Sequence, residues 1–104
     1  MLIVDAQIYL WAADAPDRPW PPGGAQRAHQ PYAVSKDMAL AGMNEAGVDR
    51  AVIVPPSWEG ERNDLALEAA RLHPDRFAVM GRFPMEKLES RSRVDDWRRQ
   101  PGML

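Results

Sequence analysis

Short apolar, β-branched runs alternate along this chain with stretches of helical periodicity, and that order predicts an α/β domain built as a parallel βαβαβα segment. Three observations carry the prediction. Strand-like runs occur at Met1–Trp11, Ala51–Val54 and Phe77–Met80. Helix-start residues precede the two intervening stretches, Ser35 before one and Asn63 before the other. Glycine or proline follows each element after the first strand, at Gly47, Pro55, Pro74, Gly81 and Pro101.

The first strand, Met1 to Trp11, has two different rows of side chains, because residues two apart on a strand share a face. Leu2, Val4, Ala6, Ile8 and Leu10 are apolar throughout, whereas the row Met1, Ile3, Asp5, Gln7, Tyr9 turns polar only towards the strand exit. On that reading the row is an inward face that presents site residues above a packed core.

The segment Ala12 to Val34 carries Pro16, Pro19, Pro21, Pro22, Gly23, Gly24 and Pro31, a composition that excludes helix. A loop this long inside a compact domain is functional or disordered more often than merely connective, and Trp11, Trp20 and Tyr32 imply that part of it packs down as a lid over the strand end.

From Ser35 a helix is expected, with Asp37 at its positive end, Leu40 and Met43 on one face, and Gly47 as its stop. Ala51–Val54 reads as a strand buried on both faces, ended by Pro55 and Pro56. Asn63 would cap a second helix whose stripe is Leu65, Ala69 and Leu72 and whose wet face is Asp64, Glu68 and Arg71, ending at His73 and Pro74. Phe77–Met80 is the third strand, and Gly81 and Arg82 lie at its exit. A third helix is expected over Glu86 to Arg99 with Val94 and Trp97 facing inward, then a turn at Gln100, Pro101 and Gly102 and the start of a fourth strand at Met103 and Leu104. Residues 1–104 read as a single α/β domain or a fragment of a barrel, without an internal repeat beyond the alternation itself.

Composition narrows the function classes. The chain of 104 residues is 45% hydrophobic and 27% charged, ordinary usage for a domain with one core. Thirteen Lys and Arg against fifteen Asp and Glu give a net charge of −2, so no general field attracts nucleic acid or an anionic membrane. The arginines at 91, 93, 98 and 99 are interleaved with Glu89, Asp95 and Asp96, as on a solvated face. There is no cysteine, which excludes disulfides, thiolate metal sites and a cysteine nucleophile, and the expected compartment is the cytoplasm. Neither a signal peptide nor a membrane span is expected, because Asp5 interrupts the N-terminal apolar run.

Nucleotide-binding loops are missing: no glycine cluster follows the first strand and no Gly-Lys-Ser/Thr occurs. A serine triad is unsupported too, since none of Ser35, Ser57, Ser90 and Ser92 sits in a nucleophile elbow. Two strand exits hold chemistry. Arg82 is placed for bidentate binding of a substrate carboxylate or for an ion pair between loops. Trp58, in the loop Pro55–Glu59, either walls a pocket or covers the core edge. His73 follows a helix end, where an imidazolium suits the negative terminus, and His29 is a loop histidine with no assigned role.

The segments Ile3–Trp11, Arg18-Pro19-Trp20-Pro21, Ala46–Val52, Asn63-Asp64 and His73-Pro74-Asp75-Arg76-Phe77 together resemble the amidohydrolase-related (amidohydrolase 2, lactonase-like) metal-dependent hydrolases of TIM-barrel fold. The resemblance runs along the whole chain but spans only the first three or so of the eight β/α units of such a barrel. It implies a hydrolase of a small lactone, amide or carboxylated substrate, and a divalent metal such as zinc. The family's first strand ends in His-x-His; those positions hold Gln7 and Tyr9 here, and an amide and a phenol bind zinc far more weakly than imidazole. Gln7 and Tyr9 are therefore candidates for hydrogen bonding to substrate, or polar filling at the mouth. Asp5 is by resemblance a residue behind the site, and as a bare strand carboxylate a partner for backbone amides or an arginine. The rival function is a non-catalytic α/β module that binds a partner or self-associates through its unpaired strand edges.

Overall fold

The computed structural model describes all 104 residues, the side chains of Leu88 and Ser90 excepted. A three-stranded parallel sheet, in the order β1 (Val4–Ile8), β2 (Arg50–Ile53), β3 (Phe77–Val79), forms its centre. Helix α1 (Gly24–Arg27) lies in the first loop, α2 (Lys36–Ala46) joins β1 to β2, and α3 (Asp64–Leu72) joins β2 to β3. The α/β class and the parallel sheet expected from the alternation are those observed.

Helix α2 begins and ends as its sequence dictates. Ser35 Oγ accepts the Met38 amide at 3.2 Å, and Gly47 closes the helix with φ 74°, a left-handed conformation that a Cβ would penalise. At the other end of the chain, Gly102 has φ 88° and packs so closely on Ala70 that any side chain there would collide with the Ala70 Cβ. That contact brings residues 102–104 beside β3: Gly102 O accepts the Val79 amide at 2.8 Å, and the Leu104 amide donates to Val79 O at 2.9 Å. Met103 therefore extends the sheet in parallel, as the start of a fourth strand would.

The core lies between β2, β3 and α3. Ile53 and Val79 are fully buried, with Phe77, Met43, Leu10 and Met103 around them. The face that α3 turns to the sheet is Ala66, Ala69 and Ala70, not the expected stripe of Leu65, Ala69 and Leu72; Leu72 is exposed. Alanine on the contact face lets the helix approach the sheet closely, and the larger leucines flank the contact.

Four other expectations are corrected. First, the β1 face does not turn inward: Leu2, Ile3, Val4, Asp5, Ala6 and Gln7 are all exposed. β1 is the sheet edge, and its ladder with β2 shifts register between Asp5 and Ile8. Second, the proline-rich loop contains one helical turn, α1, which starts after Gly23 in a left-handed conformation; the prolines lie outside that turn. Third, Tyr32 does not pack down, although Trp11 and Trp20 do. Fourth, no long third helix forms over Glu86–Arg99. The chain instead makes two short 3₁₀ turns, at Leu88–Arg93 and Trp97–Arg99. Val94 is exposed, and only Trp97 is anchored, edge-on to Phe83 at 5.2 Å. So charged a stretch offers no continuous apolar stripe to hold a helix against the sheet.

Candidate functional site

All three strands run in the same direction, so their C-terminal ends open on one edge of the sheet. Ile8, Ile53 and Val79 stand level across the ladder, and the next residues begin the three exit loops. Gln7 and Tyr9 flank the first exit, Trp58 follows the second, and Arg82 follows the third. Two ladder steps separate the β1 and β3 exits, about 10 Å.

At the β1 exit, Gln7 Nε2 donates to the Tyr9 hydroxyl at 2.6 Å, so the two side chains form one polar unit. The Tyr9 ring stacks on the His29 imidazole with centroids 5.3 Å apart and planes 20° from parallel. His29 was a residue without a role in the sequence, and nothing local to it signals this position. Its partner lies twenty residues upstream and meets it only because the intervening loop closes. That closure is an antiparallel bridge in which Trp11 and Val34 exchange amide–carbonyl bonds of 3.1 and 3.0 Å. Asp5 accepts the backbone amide of Gln7 at 3.0 Å, a local strand contact. Asp5, Ile8 and Tyr9 also line a cleft of about 280 Å³ against Ala39, Gly42 and Met43 of α2.

At the β2 exit, Trp58 is buried between Trp11, at 6.1 Å, and Trp20, at 5.2 Å, both edge-on. Of the two roles open to Trp58, this arrangement favours covering the core edge. Beside it lies Arg18, a residue that sequence reasoning did not single out. Its guanidinium reaches Asp64 at 2.7 and 3.3 Å and Glu59 at 3.4 Å, tying the first loop to α3 and to the β2 exit. Burial raises the Asp64 carboxyl, but the hydrogen bond and charge of Arg18 outweigh it and hold the group below its ordinary value. Burial also lowers Arg18; its bonds to Asp64 and the charges of both carboxylates outweigh that and raise it further.

At the β3 exit, the side chain of Asn63 does not cap α3. It clamps the backbone of Arg82 instead, accepting the Arg82 amide at 2.6 Å and donating to the Arg82 carbonyl at 2.9 Å. The Arg82 guanidinium is 31% exposed and lies alongside Glu61, with Nε 3.4 Å from Oε2 and a terminal nitrogen 3.5 Å from Oε1. The geometry thus fixes the arginine by its main chain and leaves its charged head loosely paired. His73 sits at the end of α3 with its imidazole edge-on to Phe77 at 6.2 Å, away from the exits.

The donors at the β1 exit do not fit zinc. Gln7 offers a neutral amide and Tyr9 a phenol, and both bind zinc far more weakly than imidazole. Among the described residues no three His, Cys, Asp or Glu side chains gather into a set that could hold a metal ion. No helix among them is long and apolar enough to cross a membrane.

No family model and no curated protein matches the chain. A crystal structure does: a protein from Acinetobacter baumannii described as a "probable 2-pyrone-4,6-dicarboxylic acid hydrolase", with citric acid bound. The two superpose with a TM-score of 0.76 at 17% sequence identity, over 100% of this chain and 36% of that one. The fold is that of a sector of a TIM barrel. At such low identity the likeness is one of backbone architecture. The chain spans about a third of the neighbour's length, and in a barrel the C-terminal strand ends are where sites are built.

Proposed function

We propose that this chain is a three-strand sector of a hydrolytic barrel that acts on a small carboxylated lactone, with related esters and amides as the wider class. The observation that carries this reading is Arg82: a partly exposed guanidinium at the exit of β3, held by its main chain to Asn63, on the same sheet edge as Gln7 and Tyr9. A planar fork of N–H donors matches a carboxylate in two parallel bonds. Gln7 and Tyr9, on the strand about 10 Å away across the ladder, supply donors for the carbonyl oxygen of the same ligand. Hydrolysis adds water across the acyl C–O bond: oxygen attacks the carbonyl carbon, the carbonyl oxygen gains charge, and the ring opens to a carboxylate and an alcohol or enol. Donors already in place at that oxygen stabilise the developing charge. Zinc, which the sequence resemblance implies, takes no part in this scheme, because the donors at the β1 exit do not fit it.

The pyrone dicarboxylate named for the neighbouring structure is the first substrate to test. The protein purified from its own cells should bleach the ring absorbance of 2-pyrone-4,6-dicarboxylate above the buffer rate. Arg82→Ala should raise KM by about 10-fold to 100-fold, the effect of losing a charge-assisted pair. Unchanged KM in that variant would contradict the assignment of Arg82.

A second reading rests on β1. Leu2, Ile3 and Val4 are exposed along a strand edge that pairs on one side only among the described residues, a surface suited to pairing with a second copy of the chain. A discrete oligomer without turnover, seen by sedimentation and by the same assay, would favour that reading over catalysis.

A further inference from the structure

We infer that Glu61 is a specificity-determining residue: its carboxylate occupies the Arg82 guanidinium in place of the ligand's carboxylate, and an anionic ligand must displace it. The inference rests on the reading of Arg82 as the carboxylate anchor. Two features of the pair support it. The two Glu61 oxygens face two Arg82 nitrogens side by side, the arrangement that a bound carboxylate would adopt. The contacts are long, 3.4 and 3.5 Å, whereas Arg18 meets Asp64 at 2.7 Å. Charge-assisted bonds that hold a fold normally lie near 2.7–2.9 Å. Arg82 Nε makes no hydrogen bond of good geometry, but neither does Arg18 Nε, so the long pairing of the guanidinium and its exposure, not this donor, set Arg82 apart.

Displacement is possible without unfolding the loop. Asn63, two residues beyond Glu61, holds the loop to the Arg82 main chain through bonds of 2.6 and 2.9 Å that do not involve the guanidinium. Gly60, just before Glu61, has φ 89°, a conformation only glycine adopts freely, and nothing crowds the space a side chain would fill there. Glu61 is 37% exposed in its side chain and can swing into solvent while the clamp stays closed.

The consequence is competition. Whatever fraction of the time Glu61 occupies Arg82 lowers the apparent affinity for an anionic ligand by that fraction, and the occupying carboxylate also repels the incoming one. An exposed pair of this kind is weak, so relief should be modest, about threefold to fivefold.

The test is a calorimetric titration of the chain with citrate at pH 7, with trimethyl citrate as the neutral control. Wild type should bind citrate, Arg82→Ala should not, and Glu61→Gln should bind it about threefold to fivefold more tightly. Glu61→Ser should act in the same direction, so that one altered packing contact does not decide the result. Equal or weaker binding in both Glu61 variants, with Arg82→Ala still abolishing it, overturns the inference and leaves the anchor standing. Binding that ignores Arg82→Ala, or no binding by any form, overturns the anchor and the inference together. Far-UV circular dichroism and urea midpoints confirm that each variant compared is folded.

Discussion

Two arginines stand over adjacent strand exits and are held in opposite ways. Arg18 is gripped by its head: Asp64 and Glu59 take its guanidinium at 2.7 to 3.4 Å, and its side chain is only 15% exposed. Arg82 is gripped by its backbone, through Asn63, and its head meets Glu61 at no less than 3.4 Å. The difference separates a guanidinium bound up in the fold from one whose head is only loosely paired, the feature on which the proposed ligand role of Arg82 rests.

The largest effect is expected from the tryptophan cluster at the β2 exit, where Trp58 precedes Glu59, a partner of Arg18. Trp58→Ala should destabilise the chain by about 3–5 kcal/mol, the range for emptying a buried tryptophan site, measured by urea unfolding. Next in size, Arg18→Met should cost about 1–3 kcal/mol, because it leaves the largely buried Glu59 carboxylate without its partner while Asp64 can turn to water. A third test uses pH. The Asp64 carboxyl is held below its ordinary value of 3.8 in the folded chain, so its contribution to stability is present above about pH 4 and lost as the pH falls below that value. Wild type should therefore lose more stability between pH 5 and about pH 3 than Asp64→Asn does, by a small margin since Asp64 is half exposed. Smallest of all, Arg82→Ala should move the urea midpoint by the equivalent of less than about 1 kcal/mol. If Arg82→Ala proved as destabilising as Arg18→Met, the contrast between the two arginines would collapse.

How much of this was legible in the sequence differs by region. The strands β2 and β3 and the ends of α2 were readable because their determinants are local: β-branched runs, a serine cap, a glycine stop. Arg82 was readable as a strand-exit residue, and so were Gln7 and Tyr9. What escaped was everything that depends on a long closure. Arg18 meets Asp64 across 46 residues, and His29 meets Tyr9 only after the Trp11–Val34 bridge forms. Asn63 shows the same limit in another form: its sequence context reads as a cap, but a tertiary partner at Arg82 outcompetes the local amide. The face of α3 was misjudged because a hydrophobicity pattern ranks leucine above alanine, whereas close helix–sheet contact favours the smaller side chain. The expected helix at Glu86–Arg99 failed because alternating charges can stabilise a helix without giving it anything to dock.

The claim at the centre of this account is that Arg82, and not Arg18, receives a carboxylated ligand at the strand exits. It is tested most directly by following the side-chain Nε–H resonances of the ¹⁵N-labelled chain during titration with 2-pyrone-4,6-dicarboxylate. The account predicts that Arg82 Nε–H and the Gln7 side-chain amide shift together with one saturating curve while Arg18 Nε–H stays in place. A titration that moves Arg18 and Arg82 alike, or leaves Arg82 unmoved at saturating ligand, would contradict it.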